Sequence, residues 1–196
     1  MNNLEAAWLQ RAIQGDQDAF TYIVETYQRP VYNLCYRMLG DPQEAEDASQ
    51  ETFWRAYQAL RRYDQQRSFI TWLLSIAAHY CIDQQRKKRF PILALDILPE
   101  EDAPDPAPDP EKVFNELEQR GQMQRLLSHL GPQDRAAIVL RYWYEFSEEE
   151  IARTLSLTVS AVKSRLFRAR KEMALIWEKQ SSQSLPERRK NESPAL

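Results

Sequence analysis

The chain has 196 residues, 43% of them hydrophobic and 28% charged, with a formal net charge of −3. That length can enclose one or two real cores, and the composition excludes a collagen-like or wholly disordered chain. No apolar run approaches the ~18 residues of a membrane span, no basic head precedes an apolar run at the N-terminus, and Cys35 and Cys81 are too few for a disulfide framework or a zinc ligand set. A cytoplasmic chain with two buried thiols is the expectation.

The charge is unevenly placed. Residues 1–90 carry 11 basic and 11 acidic side chains, residues 91–120 carry 2 and 9, and residues 121–196 carry 13 and 9. Acidity therefore belongs to one segment. It does not argue against nucleic-acid binding elsewhere, because the field near a surface is set locally.

In chain order, helix-period apolar positions predict helices near Leu4–Gln14, Asp18–Leu39, Gln43–Leu60 and Ser68–Lys88. Gly15-Asp16, Gly40-Asp41-Pro42 and the polar 61–67 stretch break them, with Asp41 as N-cap and Pro42 in the first turn. At helical spacing Asp47, Gln50, Glu51 and Trp54 share a face. The run Arg86-Lys87-Lys88-Arg89 ends the fourth helix with phosphate-binding charge. Residues 91–112, with Pro104, Pro106, Pro108 and Pro110 among acids, read as an extended linker.

Beyond it, helices are predicted near Val113–Leu130, Pro132–Trp143, Glu148–Leu155 and Val159–Glu178, and residues 179–196 as a disordered tail. Ser147 and Glu150 form a capping box, and Thr158 suits the N-cap of the last helix. Glu148–Leu155 and the helix after it make a helix-turn-helix. Val162, Leu166, Ala169 and Met173 form the apolar stripe of its second helix, while Lys163, Ser164, Phe167, Arg168 and Lys171 fall on the other side. Such a helix suits the DNA major groove: cations reach guanine edges or phosphates, and Phe167 can pack on a thymine methyl. No strand pattern appears, and the expected fold is all-α, with two small helical domains.

EEEIARTLSLTVSAVKSRLFRARKEM, with VKSRLFRAR at Val162–Arg170, resembles the promoter-reading domain of extracytoplasmic-function (ECF) sigma factors, within the sigma-70 family. The resemblance implies −35 contacts by Lys163, Ser164, Phe167 and Arg168, with Arg165 and Arg170 at the flanks suited to phosphates. This chain departs from the family pattern at Ser156 and Ser160, where glycine is usual, and at Ala161, where threonine is frequent. DPQEAEDASQETFWRAYQAL at Asp41–Leu60 resembles the helix that docks on the polymerase β′ clamp helices, which implies polymerase contacts by Asp47, Gln50, Glu51 and Trp54 beside Phe53. FITWLLSIAAHYCIDQQRKKRF at Phe69–Phe90 resembles the −10 helix. A pocket for a flipped base is then implied at Ala59, Tyr63, Leu74, Ile76 and His79, with Arg86 and Lys87 at the basic end; His79 stands where asparagine is usual.

The family resemblance divides the chain into residues 1–90 for polymerase binding and −10 melting, a linker at 91–112, and 113–178 for −35 reading. Glu100, Glu101, Asp102, Asp105 and Asp109 of the linker would imitate a nucleic-acid backbone along the RNA exit path. The implied partners are core RNA polymerase through its β′ clamp helices and β subunit, promoter DNA, and an anti-sigma factor, without insertion into a membrane. The function is promoter-specific initiation, of stress-response genes, with no catalytic residue, metal or cofactor. The alternative is a helix-turn-helix regulator whose N-terminal domain senses a signal or dimerises. An enzyme has no support, because His79 and His129 stand apart without ligand or triad companions.

Overall fold

A computed structural model describes residues 3–89 and 121–184, and all the regular structure among them is helical. Helices α1 (Asn3–Ile13), α2 (Gln17–Leu39), α3 (Pro42–Ala59) and α4 (Phe69–Arg89) form the first half, with a 3₁₀ turn at Leu60–Arg62 after α3. Helices α5 (residues 121–129), α6 (Pro132–Trp143), α7 (Glu148–Leu155) and α8 (Val159–Ser184) form the second. The proposed linker at 91–112, including its acids, lies outside the described residues.

The helix ends follow local chemistry. The Asp16 carboxylate accepts from the Ala19 backbone N–H at 3.0 Å and pairs with Arg11, and both interactions hold its carboxyl below the usual range. Asp41 accepts from the Glu44 N–H at 2.8 Å, with Pro42 opening α3. At α7, Ser147 and Glu150 cap each other reciprocally. The α8 start is capped by the Thr158 hydroxyl, which accepts from the Ala161 N–H at 3.2 Å. α8 runs to Ser184, past the expected end at Glu178. Nothing before Pro186 forbids the extra turn, and that proline disfavours helix only from the residue preceding it.

Long stripes bury the helices against one another. α2 contributes Ile23, Tyr27, Val31, Leu34, Cys35 and Met38, and α4 contributes Leu73, Leu74, Ala77, Cys81 and Ile82. Cys35 and Cys81 are fully buried free thiols; the neighbouring Cys35 and burial together hold the Cys81 thiol well above its ordinary range. In the second half Leu127, Ile138, Leu140, Ile151 and Leu155 close over Val162, Leu166 and Ala169 of α8. Each buried Val or Leu stabilises by about 1.5–3 kcal/mol relative to exposure.

The two halves are not independent beads. α6 packs on α2, and both α6 and α7 pack on α4, giving one continuous core. Polar bonds cross the junction at the carbonyl end of α2. Arg135 of α6 donates to the Met38 carbonyl, and Gln124 of α5 donates to those of Tyr36 (3.2 Å) and Arg37 (3.3 Å). The Tyr144 hydroxyl donates to the Pro30 carbonyl at 2.5 Å, and burial pushes its phenol pKa up. The Arg37 guanidinium lies 4.8 Å from the centre of the Trp143 ring. Two small helical domains joined by a linker, as the sequence predicts, leave open how their surfaces meet; that contact is written in α2 and α6.

Candidate nucleic-acid interface

Three surfaces carry the polar and aromatic side chains that the sequence marks. The first is the outer face of α8. Its apolar stripe is pressed onto α6 and α7, which turns Lys163, Ser164, Phe167, Arg168 and Lys171 outward. Phe167 is 64% exposed, although nothing in the fold requires an aromatic ring in water there. The tight turn into α8 places Ser156 at φ 55°, ψ 45°, a left-handed conformation that a side-chain-bearing residue adopts at a cost.

Acids from the supporting helices hold the α8 cations. Lys163 lies 3.5 Å from Glu148. A single oxygen of Asp134 sits 2.6 Å from Arg165 and 3.7 Å from Arg168. Arg165 is 24% exposed and its Nε is buried without a partner, whereas Arg168 is 60% exposed. Arg170 is exposed, with its Nε donating to the Leu166 carbonyl at 3.1 Å.

The second surface is α3. Asp47, Gln50 and Trp54 are exposed and Glu51 half-buried, with Glu51 paired to Arg55 at 2.7 Å. Trp54 stacks on Tyr57 with ring centres 6.4 Å apart. Beside them α2 and α3 enclose a groove of about 490 Å³, lined by Gln28, Arg29, Tyr32, Glu46, Gln50 and Phe53. Desolvation there pushes the Tyr32 phenol up.

The third surface is α4 and the loop before it. Trp72, Ser75, Ile76 and His79 follow one helix face, with the His79 ring 2.8 Å from the Ser75 carbonyl. A crevice of about 330 Å³ separates this face from α7, between Arg67, Ser68, Thr71 and Trp72 on one wall and Glu150, Arg153 and Thr154 on the other. At the far end Arg86 and Lys87 are exposed, and Arg86 is paired with Asp83 at 3.8 Å. Among the described residues no cluster of three or more metal-ligating side chains occurs, and no helix is long and apolar enough to cross a membrane.

Comparison with known proteins gives this geometry a family. A profile for Sigma-70 region 2 matches residues 23–90, and one for Sigma-70 region 4 matches residues 120–173. The chain is 38% identical over 178 residues to the ECF RNA polymerase sigma factor SigW of Bacillus subtilis (strain 168), covering 82% of this chain and 89% of SigW. It is an ECF RNA polymerase sigma factor. Its fold is also that of CnrH, solved in complex with the cytosolic domain of CnrY (TM-score 0.63, 26% identity, 88% of this chain and 96% of that one). RpoE of Bartonella quintana, solved in complex with the anti-sigma factor NepR, shares the fold at TM-score 0.62 and 19% identity, with 81% and 96% covered. A region 2 in the N-terminal half removes the favour from the alternative of a conventional regulator with a sensing domain.

The structure redistributes several residues that the sequence marks in this sigma factor. Leu74 is fully buried and Tyr63 only 6% exposed, the latter packed edge-on against Phe69 with its hydroxyl donating to the Arg67 carbonyl. They underlie the α4 face rather than present it, because the stripe that buries α4 passes through position 74. Ala59 and Ile76 are half-buried and His79 exposed. Phe53 is likewise 8% exposed and lines the groove instead of standing beside Trp54 on the surface. Arg165 is drawn inward by Asp134. Arg67, Ser68, Thr71 and Ser75, which line the crevice between α4 and α7, go unmarked as site residues in the sequence, although the hydroxyls at 71 and 75 stand at i, i+4 spacing with the marked His79 and were a signal for two of them.

Proposed function

We propose that this sigma factor docks on core polymerase through the α3 face, reads the −35 element with α8, and captures the melted −10 strand along the 63–68 loop and the outer face of α4. Its work is binding alone, with no covalent step, and it acts in the cytoplasm. The residues assigned to −35 contact are Lys163, Ser164, Phe167 and Arg168, with Arg170 at the flank. Those assigned to the polymerase are Asp47, Gln50, Glu51 and Trp54. For the −10 strand we assign Ala59, Ile76 and His79 with Arg86 and Lys87, over a floor made by Tyr63 and Leu74. The domain division follows the same roles, with 1–90 and 113–178 joined by the acidic segment 91–112. An anti-sigma factor belongs among the partners, by analogy with the complexes in which CnrH and RpoE were solved, and stress-response genes are the proposed targets.

One observation carries the −35 assignment: an α8 face with an aromatic ring and three cations in solvent, Lys163, Arg168 and Lys171, rigidly backed by a buried stripe. A major-groove reader needs that combination of rigid backing and exposed donors. The closed packing has a direct geometric consequence. By their names the two elements lie about 25 base pairs apart, roughly 85 Å at 3.4 Å per step, while α7 and α4 are in contact. The halves must therefore part to engage both. Residues 90–120 would span at most roughly 100 Å when extended, enough for that separation.

The test is transcription in vitro with purified core polymerase on fragmented genomic DNA, followed by sequencing of transcript 5′ ends. Start sites that depend on this chain, preceded by one recurrent pair of elements, are the expected result. The same transcripts with and without the chain would defeat the proposal.

A further inference from the structure

We infer that Asp134, which lies outside the recognition helix, sets the sequence specificity of α8 by withdrawing one of its arginines from DNA and fixing another. The inference rests on reading α8 as the −35 helix. Asp134 stands in the first turn of α6, where the helix N-terminus favours a carboxylate, and its side chain is 17% exposed. Its Oδ1 is 2.6 Å from Nη1 of Arg165 and 3.7 Å from Nη2 of Arg168. Arg165 and Arg168 are three apart on one helix, so they are neighbours of like charge that repel unless an anion stands between them. Asp134 is that anion, and it is supplied by a different helix.

The two arginines consequently acquire different roles. Arg165, three-quarters buried with Nη1 on Asp134 and Nε buried without a partner, is the less available of the two to a phosphate. Arg168, mostly exposed, has only Nη2 near the carboxylate, at 3.7 Å, so the rest of its guanidinium faces solvent while its charge is drawn toward α6. Contacts to phosphates raise affinity for every sequence, whereas a positioned guanidinium discriminates guanine from other bases. A carboxylate that neutralises the first arginine and orients the second lowers indiscriminate affinity and preserves discrimination. Glu148 restrains Lys163 in the same manner from α7, at a looser 3.5 Å.

The experiment uses holoenzyme reconstituted with the full chain, on a promoter mapped by in vitro transcription and on the same promoter with its −35 element scrambled, titrated over a range of salt. Asp134→Asn keeps the shape and removes the charge. It should bind the scrambled DNA several-fold more tightly, steepen the salt dependence of log K by about one unit for the released cation, and lower the specific-to-scrambled ratio about tenfold. Asp134→Glu, which restores the anion, should recover the parental slope. Arg165→Met should leave the slope unchanged, which keeps the inference testable if the asparagine variant does not fold. A purely structural Asp134 would weaken both DNAs equally with slope and ratio intact, and that overturns the inference, as does an Arg165→Met slope shallower by one unit. Arg168→Ala serves as the control: if it leaves the ratio unchanged, the −35 assignment of α8 fails and this inference falls with it.

Discussion

Arg135→Met should loosen the closed arrangement without unfolding either half. Arg135 is 7% exposed, and its guanidinium crosses from α6 to the Met38 carbonyl at the end of α2. A hydrogen bond from a charged donor contributes about 1.5–3 kcal/mol, and methionine keeps an unbranched apolar stem for the packing that arginine's own stem provides. Taking about 2 kcal/mol, the open-to-closed ratio should rise roughly thirtyfold. The bond joins the halves, so most of this difference should appear in their separation; in the open chain Arg135 would be hydrated. Because Cys35 and Cys81 are wholly buried, cysteines introduced at the exposed positions Gln58 and Ala174 could be labelled selectively for energy transfer. Lower transfer efficiency in Arg135→Met at unchanged helical content is expected. Identical efficiency in parent and variant would refute the role given to this bond, and a loss of helix would show that Arg135 supports the second half itself.

Ser147→Ala removes half of the α7 capping box and should cost about 1 kcal/mol. The Ser147 backbone N–H and then its hydroxyl hold the Glu150 carboxyl below the ordinary glutamate value. A depressed carboxyl contributes its stability in full above about pH 4.3 and loses it as pH falls through the lower folded value. The gap in melting temperature between parent and Ser147→Ala should therefore narrow only in that acid range, and a gap constant with pH would contradict the assignment. Ser156→Gly relieves a left-handed turn at φ 55° and should stabilise by about 0.5–1 kcal/mol, seen as a melting temperature higher by a few degrees. Leu74→Ala, at a fully buried position, should cost about 2–5 kcal/mol in denaturant unfolding. A normal stability with an altered −10 preference would instead place Leu74 at the DNA.

The features legible in the sequence were those fixed within a few residues. Asp41 with Pro42, Ser147 with Glu150, and Thr158 each declare a helix start through a local bond, and each bond is present. The Val162–Leu166–Ala169 stripe was legible because its period of about 3.6 determines which side of α8 is buried. Arg165 shows where such reading ends. Periodicity divides a helix into sides, but the edge between them belongs to whichever neighbour approaches, and the approach of Asp134 is a contact across 31 positions. Tyr63 illustrates the same limit, since this loop residue joins Phe69 and Trp72 of α4 in one aromatic cluster only after folding. The junction of the halves was least legible of all. Its main acceptors are backbone carbonyls of Pro30, Tyr36, Arg37 and Met38, groups that every residue possesses and no sequence pattern distinguishes.

Gly40 draws two of these threads to one position. It ends α2 at φ 86°, where an L-residue is strained, and a Cβ there would come within 3.2 Å of the Gln124 amide nitrogen. Gly15 has the same kind of backbone but meets nothing closer than an Arg61 nitrogen at 3.9 Å, and Gly121 has open space around it. Drift at Gly121 is nearly free, and at Gly15 it is opposed by the backbone alone. At Gly40 an accepted change would have to be matched by changes at Gln124 and along the α2 terminus together, so this position should vary least among descendants of the chain and, when it does vary, should covary with position 124.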